Sequence, residues 1–460
     1  MYPLLLPSRI IVMSSNVSKS IGFYLLGTIL LSAGGLYNGF PFLNGDTASY
    51  LQGAFTGNLP YERPVFYGYF LKIVSLGFSL WLPALVQSGL LFFLLHKTIA
   101  HFIPDVGRRA SLLLTLVIAA GTGVWWESMT LLPDIFLCCM LLAILLLVVE
   151  KSKSKGVTTL YMLVVFFGAI FHNSHLLILV IFPFVLYIIG RLFKIEVGKV
   201  KWSLLVIGVV AFLCSAFANY IDNGEFTVNR ASHVFLMGKL SENGMLKHHL
   251  DRRCGDHDWD ICADKDSLPI TGFQFVWNGD SPAYKYGSWR GNKEEYQEVF
   301  VSILKSPKHV ALLAYKSAID GLVQLFQFNH GTLLHRYERG SNVQEAVSNY
   351  YPAESHSSLW SKQFLMQLPF DTLNMWYKFI LVFSTAVVFY LFSIGKASSK
   401  FILGYTVILI IIILNAYITG NLANISERLN TRVLWVLPAM NVVVICDWLM
   451  GRSENSGVKE

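Results

Sequence analysis

The sequence predicts an all-α polytopic membrane protein of about ten transmembrane helices, with a soluble insertion between the seventh and eighth. Three observations carry that expectation. Hydrophobic residues make up 54% of the chain and charged residues 14%, with mean hydropathy +0.51, whereas a soluble domain carries roughly 25% charged residues. Apolar runs that reach or approach the roughly 20 residues needed to cross a bilayer recur along the chain, divided by breaks bearing Lys and Arg. Runs such as 135–149 and 402–414 do not alternate in polarity, which argues against a β-barrel.

Taken in order, residues 1–13 are apolar apart from Arg9. They are too short to span and lack a small-residue cleavage site, so they read as a cytoplasmic or interfacial lead-in rather than a signal peptide. Spans follow near Ile21–Phe40, Leu80–Phe102, Ala110–Trp125, Leu131–Val149, Thr158–Phe171, Leu176–Leu192, Trp202–Ile221, Met375–Ile394, Phe401–Gly420 and Val433–Met450. Val65 to Phe78 is apolar and aromatic but ends at Gly77 with no basic break, which predicts a helix lying on the membrane surface.

Charge sets the topology. The breaks at Lys97–Arg109, Glu150–Lys155, Arg191–Lys201 and Lys396–Lys400 are basic, and the alternate ones are not. Cytoplasmic loops concentrate Lys and Arg, so both termini are expected inside and the loops holding Asp46, Glu127 and Asn421–Thr431 outside. Residues 223–374 hold 15 Lys+Arg against 17 Asp+Glu, leaving 21 against 12 elsewhere. The basic excess therefore belongs to the short membrane loops and does not point to nucleic acid. Three parts result: an N-terminal transmembrane module over 1–222, an exposed inserted domain over 223–374, and C-terminal helices with a cytoplasmic tail over 375–460. The insert is rich in turn residues, as in WNGDSPAYKYGSWRG, and then shows helical spacing from Glu294 to Phe328.

Cys138, Cys139, Cys214 and Cys446 lie in apolar spans as packing residues. Cys254 and Cys262 fall in the exposed segment, where an oxidising side would join them as a disulfide; free thiols are the alternative. Zinc with His248, His249 or His257 fits no familiar spacing.

The stretch Leu43–Tyr69 is the candidate active-site segment, because charge kept beside a bilayer is costly unless something uses it. Asp46, in GDTASY, can cap a helix starting near Ala48, act as a general base, or do both. Arg63 lies between Glu62 and Pro64, which forces extended backbone on it. Its planar fork suits phosphate, although a Glu62–Arg63 surface ion pair or a snorkelling anchor accounts for the same residues.

The order of these residues resembles the first extracytoplasmic loop of the GT-C superfamily glycosyltransferases, particularly aminoarabinose transferase and the protein O-mannosyltransferases. The shared pattern is a first span, an Asp in a DxxxY setting at Asp46–Tyr50, E-R-P-x-x-Y-G-Y from Glu62, then a surface helix. SMTLLPDIFLCCMLLAILL resembles that superfamily's fourth span, opened by Pro133 and Asp134, and ERLNTRVLWVLP resembles a late Arg-bearing loop. Arg63 stands where Lys is usual, Pro64 is not doubled, and the insertion matches no domain of the superfamily.

The resemblance implies inverting transfer of a sugar from a polyprenyl-phosphate donor to a lipid, glycan or protein acceptor. The setting it implies is the exterior face of a bacterial inner membrane, in the building of cell-envelope polysaccharide or lipid A. Asp46 would take the acceptor proton, and Arg63 would stabilise charge on the leaving phosphate. Arg428 and Arg432 would contact that phosphate or else serve as anchors. Tyr67 and Tyr69 would line a lipid groove or form part of an aromatic belt. His172 and His175 would touch phosphate or acceptor, or simply end adjacent spans. No cofactor is expected, although Glu127 and Asp134 with Asp46 offer hard oxygens to a divalent cation. From other classes, a lipid-linked-sugar flippase or a non-catalytic membrane scaffold remains open. Transporters place charges at mid-membrane and use paired repeats, neither of which the sequence displays.

Overall fold

The computed structural model describes residues 8–58, 60–150, 154–194, 198–331, 334, 337 and 339–451, with side chains from residue 18 onward. The start of the expected lead-in, to residue 7, and the tail from residue 452 lie outside these. Among the described residues the regular structure is helical, and the β pairing is one isolated parallel bridge between Phe42 and Thr130.

The chain opens with α1 (Ser8–Leu31) and the short α2 (Ala33–Asn38), which stops at Gly39 in the left-handed region, φ 81°. Asn44 then starts α3 (Gly45–Thr56) through a capping box, its side chain accepting from the Asp46 N–H while the Thr47 hydroxyl accepts from the Asn44 N–H. The stretch expected as a surface helix holds α4 (Phe66–Val74), which buries Tyr67 and Leu71 and turns Ile73 outward. Next come α5 (Trp81–Phe102), α6 (Arg108–Gly121), α7 (Val124–Glu127), α8 (Ile135–Val149), α9 (Lys155–Ile170), α10 (Asn173–Leu192) and α11 (Val200–Asn223). Apolar all round, α8 is buried from Ile135 to Leu147 and forms the centre of the bundle.

The inserted segment builds its own core. Helices α12 (Ser232–Glu242), α13 (Met245–Arg253), α14 (Gly272–Trp277), α15 (Ser288–Gly291) and α16 (Lys293–Leu304) bury Met237, Leu246, Phe275, Tyr296 and Val299 together. The Cys254–Cys262 disulfide ties the loop after α13. From there α17 (Pro307–Leu325) runs along the later span α21, while α18 (Asn342–Tyr350) and α19 (Pro352–Leu359) return to the bundle. Val343, Val347 and Tyr351 join the main core, and Glu354 accepts from the Leu80 N–H at 2.9 Å, just ahead of α5. The chain closes with α20 (Phe370–Ser393), α21 (Lys400–Leu422), α22 (Glu427–Leu434) and α23 (Val436–Leu449).

Among the described residues six helices are long and apolar enough to cross a membrane: α5, α10, α11, α20, α21 and the joined α22–α23. They match six of the ten expected spans. The other four expected spans fall on shorter or broken elements. The span expected at Ile21–Phe40 is interrupted at Ser32, whose hydroxyl bonds back to the Thr28 carbonyl at 2.8 Å. Helices α6, α8 and α9 have 14, 15 and 16 residues, so they rise about 21–24 Å against a hydrocarbon core of about 30 Å.

Candidate active site

Long-range hydrogen bonds gather one end of the bundle. Phe42 and the loop before α8 exchange backbone bonds, Phe42 N–H to Met129 O at 3.0 Å and Leu131 N–H to Phe42 O at 2.9 Å. The Thr47 hydroxyl donates to the Leu131 carbonyl at 2.9 Å, and the Gln363 amide brackets both backbone groups of Leu43. Asp46, on the first turn of α3, is thereby fixed over Asp134, which ends the loop opening α8.

Arg63 reaches the same place across the turn between α3 and α4. That crossing is close: a Cβ on Gly68 would sit 2.6 Å from the Tyr50 carbonyl oxygen, so only glycine lets α4 lie this near α3. Its guanidinium donates to Asp46 Oδ1 at 2.6 Å, while Glu62 lies 3.3 Å from Arg63 Nε and Tyr50 stacks 5.6 Å from the guanidinium carbon. The other oxygen of Asp46 is held by Arg428 from α22, at 2.9 Å. Arg428 Nε lies 3.4 Å from Asp134, and Arg432, one turn further along α22, donates to Asp134 at 2.6 Å. Glu62, Arg63, Asp46, Arg428, Asp134 and Arg432 therefore form one unbroken string of alternating charge.

The string runs from mouth to interior. Side-chain exposure is 19% at Asp46, 13% at Arg63 and 17% at Arg428, but 3% at Asp134 and 0% at Arg432. Besides Asp134, Arg432 donates to Ser174 Oγ at 2.9 Å and Asn415 Oδ1 at 2.8 Å, while its Nε is buried without a hydrogen-bond partner. Burial pushes the Asp46 carboxyl up, but Arg63 and Arg428 on either side more than offset this and hold it below the ordinary carboxylate range.

Sequence reasoning nominated Asp46, Glu62, Arg63, Asp134, Arg428 and Arg432, and the fold brings all six together. His172 caps α10 and accepts from the Ser174 N–H, and His175 stacks on it at 4.8 Å while bonding the Gly168 carbonyl. Both stand behind Arg432, linked to it through Ser174. Tyr67 is buried and Tyr69 half-exposed, so they do not share one groove.

The acidic trio offered for a divalent cation does not assemble. Asp46 and Asp134 are engaged by guanidiniums, Glu127 pairs instead with His330, and among the described residues no group of three or more His, Cys, Asp or Glu is placed to hold a metal. Ser174, Asn415 and His330 were not singled out from sequence, and Tyr50 only as the end of the DxxxY setting. Asn415 had a signal, a lone amide inside the apolar run IIIILNAYI.

No known protein family, curated protein or solved structure matches this chain, so the string of charges and the helices that hold it are what any functional reading has to explain.

Proposed function

We propose that this protein is a GT-C-type membrane glycosyltransferase that moves a sugar from a polyprenyl-phosphate donor to a lipid, glycan or protein acceptor at the exterior face. The observation that supports this reading is the pair of guanidiniums, Arg63 and Arg428, meeting on opposite oxygens of Asp46 where the charge string reaches the surface. Two partly exposed guanidiniums held at fixed spacing by one carboxylate suit a phosphate that gains charge as it leaves. Arg432 lies too deep to touch a donor; it holds Asp134, and through it Arg428, in place.

Asp46 takes a different role here from the general base read from its sequence setting. With both oxygens bonded to guanidiniums and its acidity strengthened by them, it is a weak proton acceptor. It serves better as the spacer that aims the two arginines. The site gathers where α3, α8, α10 and α22 begin, the end opposite the Lys400–Asp447 and Arg108–Ser20 contacts at the basic ends of the helices. That separation fits an exterior site under the positive-inside rule.

The test is a transfer assay in detergent with polyprenyl-phosphate sugars and a membrane lipid extract as acceptor. Arg63→Ala and Arg428→Ala are each expected to lower turnover by about a hundredfold or more in folded protein, the magnitude typical of a lost charge-stabilising donor. Native rates in both variants would refute the phosphate assignment.

A further inference from the structure

The geometry points to Glu127 and His330 as a paired general base that takes the proton of the acceptor hydroxyl. This rests on the glycosyl-transfer reading and supplies the one group that reading lacks, since Asp46 is committed to its arginines.

Glu127, at the end of α7, meets His330 from the segment after α17, with Glu127 Oε1 and His330 Nδ1 3.0 Å apart. A carboxylate only accepts, so Nδ1 carries the ring proton and Nε2 is left with its lone pair. This is the arrangement by which an acid orients an imidazole for proton abstraction. The two side chains are 12% and 7% exposed.

Backbone and ring of His330 are both held. The backbone N–H donates to Asn374 Oδ1 at 2.7 Å, and the Asn374 amide returns to the His330 carbonyl at 3.1 Å. The ring stands edge-on to Tyr377, whose hydroxyl accepts from both Trp125 and Trp126, at 2.7 and 2.8 Å. It also rests against Gly123, where any Cβ would lie 2.2 Å from it. The ring nevertheless lines a cleft shared with Thr122, Tyr377, Lys378 and Trp435, so it is not sealed off.

The pair also adjoins the charge string. Glu127 Oε1 lies 3.5 Å from the Thr431 hydroxyl, on the α22 turn that begins with Arg428. The segment leading to His330 is fastened to the same helix: the Asn430 amide donates to the Leu325 and Gln327 carbonyls at 2.9 and 2.8 Å, and Asn329 bonds Glu427. Thr431 stands three residues after Arg428, so the Glu127–His330 pair is fastened to the same turn of α22 as the phosphate-binding arginine. Inverting transfer needs base and phosphate-binding group at separate points, because acceptor oxygen and leaving phosphate lie on opposite faces of the anomeric carbon.

The step balances. The acceptor O–H gives its proton to His330 Nε2, and the oxygen lone pair forms the new bond to the anomeric carbon. The bond from that carbon to the phosphate oxygen breaks, its electron pair leaving with polyprenyl phosphate toward Arg63 and Arg428. The imidazolium, held by Glu127, then releases its proton to water.

The experiment uses the full chain in detergent, with polyprenyl-phosphate sugars as donors and the lipid extract as acceptor. His330→Ala is expected to lower kcat by about a hundredfold, to leave the donor KM within about twofold, and to regain about tenfold on adding imidazole. His330→Gln, which fills the space, guards against a folding failure and is expected to show the same loss without rescue. A kcat within threefold of native in either variant would overturn the assignment, as would a loss accompanied by weakened donor binding and no rescue. If the native chain transfers from no donor, the glycosyl-transfer reading falls and the base falls with it. If the native chain transfers and His330→Gln matches it, only the base is wrong.

Discussion

The buried end of the charge string sets a sharp energetic expectation. Asp134→Leu removes the carboxylate paired with Arg432, whose side chain is 0% exposed and then keeps the neutral Ser174 and Asn415 oxygens. Breaking a buried pair by deleting one partner typically costs about 3–5 kcal/mol, because a charge is left uncompensated. Arg432→Met is gentler, since Asp134 retains Arg428 at 3.4 Å. With an unfolding entropy of roughly 2.1 cal/mol/K per residue, or about 1 kcal/mol/K for this length, Asp134→Leu should lower the thermal midpoint by about 3–5 °C. The double variant replaces both charges by apolar groups and should be at least about 2 kcal/mol more stable than the two single losses predict when added. Thermal unfolding of the four proteins in one detergent measures this cycle. Additive losses, or a larger loss for Arg432→Met than for Asp134→Leu, would refute the argument.

Two further outcomes follow from the same coordinates. Burial, with His309 and Arg253 adding to it, pulls His249 down to about 4, so the folded protein resists a proton that the unfolded chain accepts near pH 6.5. Stability should therefore decline as pH falls from about 6.5 toward 4, and His249→Gln should flatten that decline in a thermal-midpoint series. Gly68→Ala places a Cβ 2.6 Å from the Tyr50 carbonyl and should destabilise by about 1–3 kcal/mol, read by the same unfolding assay.

The sequence carried more of the site than of the membrane topology. Asp46 and Arg63 stood out because charge is rare in an apolar chain, and 17 residues separate them on one loop that the α3–α4 crossing folds back on itself. Arg428 and Arg432 stood out for the same reason, and their i, i+4 spacing put both on one side of a helix. Their partners were less legible. Ser174 and Asn415 contact Arg432 from positions 258 and 17 residues away, and no local pattern encodes such a meeting. His330 lay in a stretch read as part of the inserted domain, yet it packs into the bundle against α7 and α20, 203 residues from its carboxylate. Expected spans and observed helices part where composition and geometry disagree: the run through Ile21–Phe40 is apolar enough to read as one span but breaks at Ser32, and α8 starts only after the turn at Pro133.

The burial of Arg432 also bears on how the molecule is made. An unpartnered arginine carried into hydrocarbon is costly, up to about 2.5–3.5 kcal/mol at a helix centre on insertion scales, and Arg432 lies in the second turn of the last span. Asp134, Ser174 and Asn415 all precede Arg432 in the chain, at the N-cap of α8 and on α10 and α21, so each is synthesised before α22 emerges. The last span is therefore a keystone, stable in place only once three earlier helices have formed its socket, and truncation before residue 427 would leave that socket with an unanswered carboxylate.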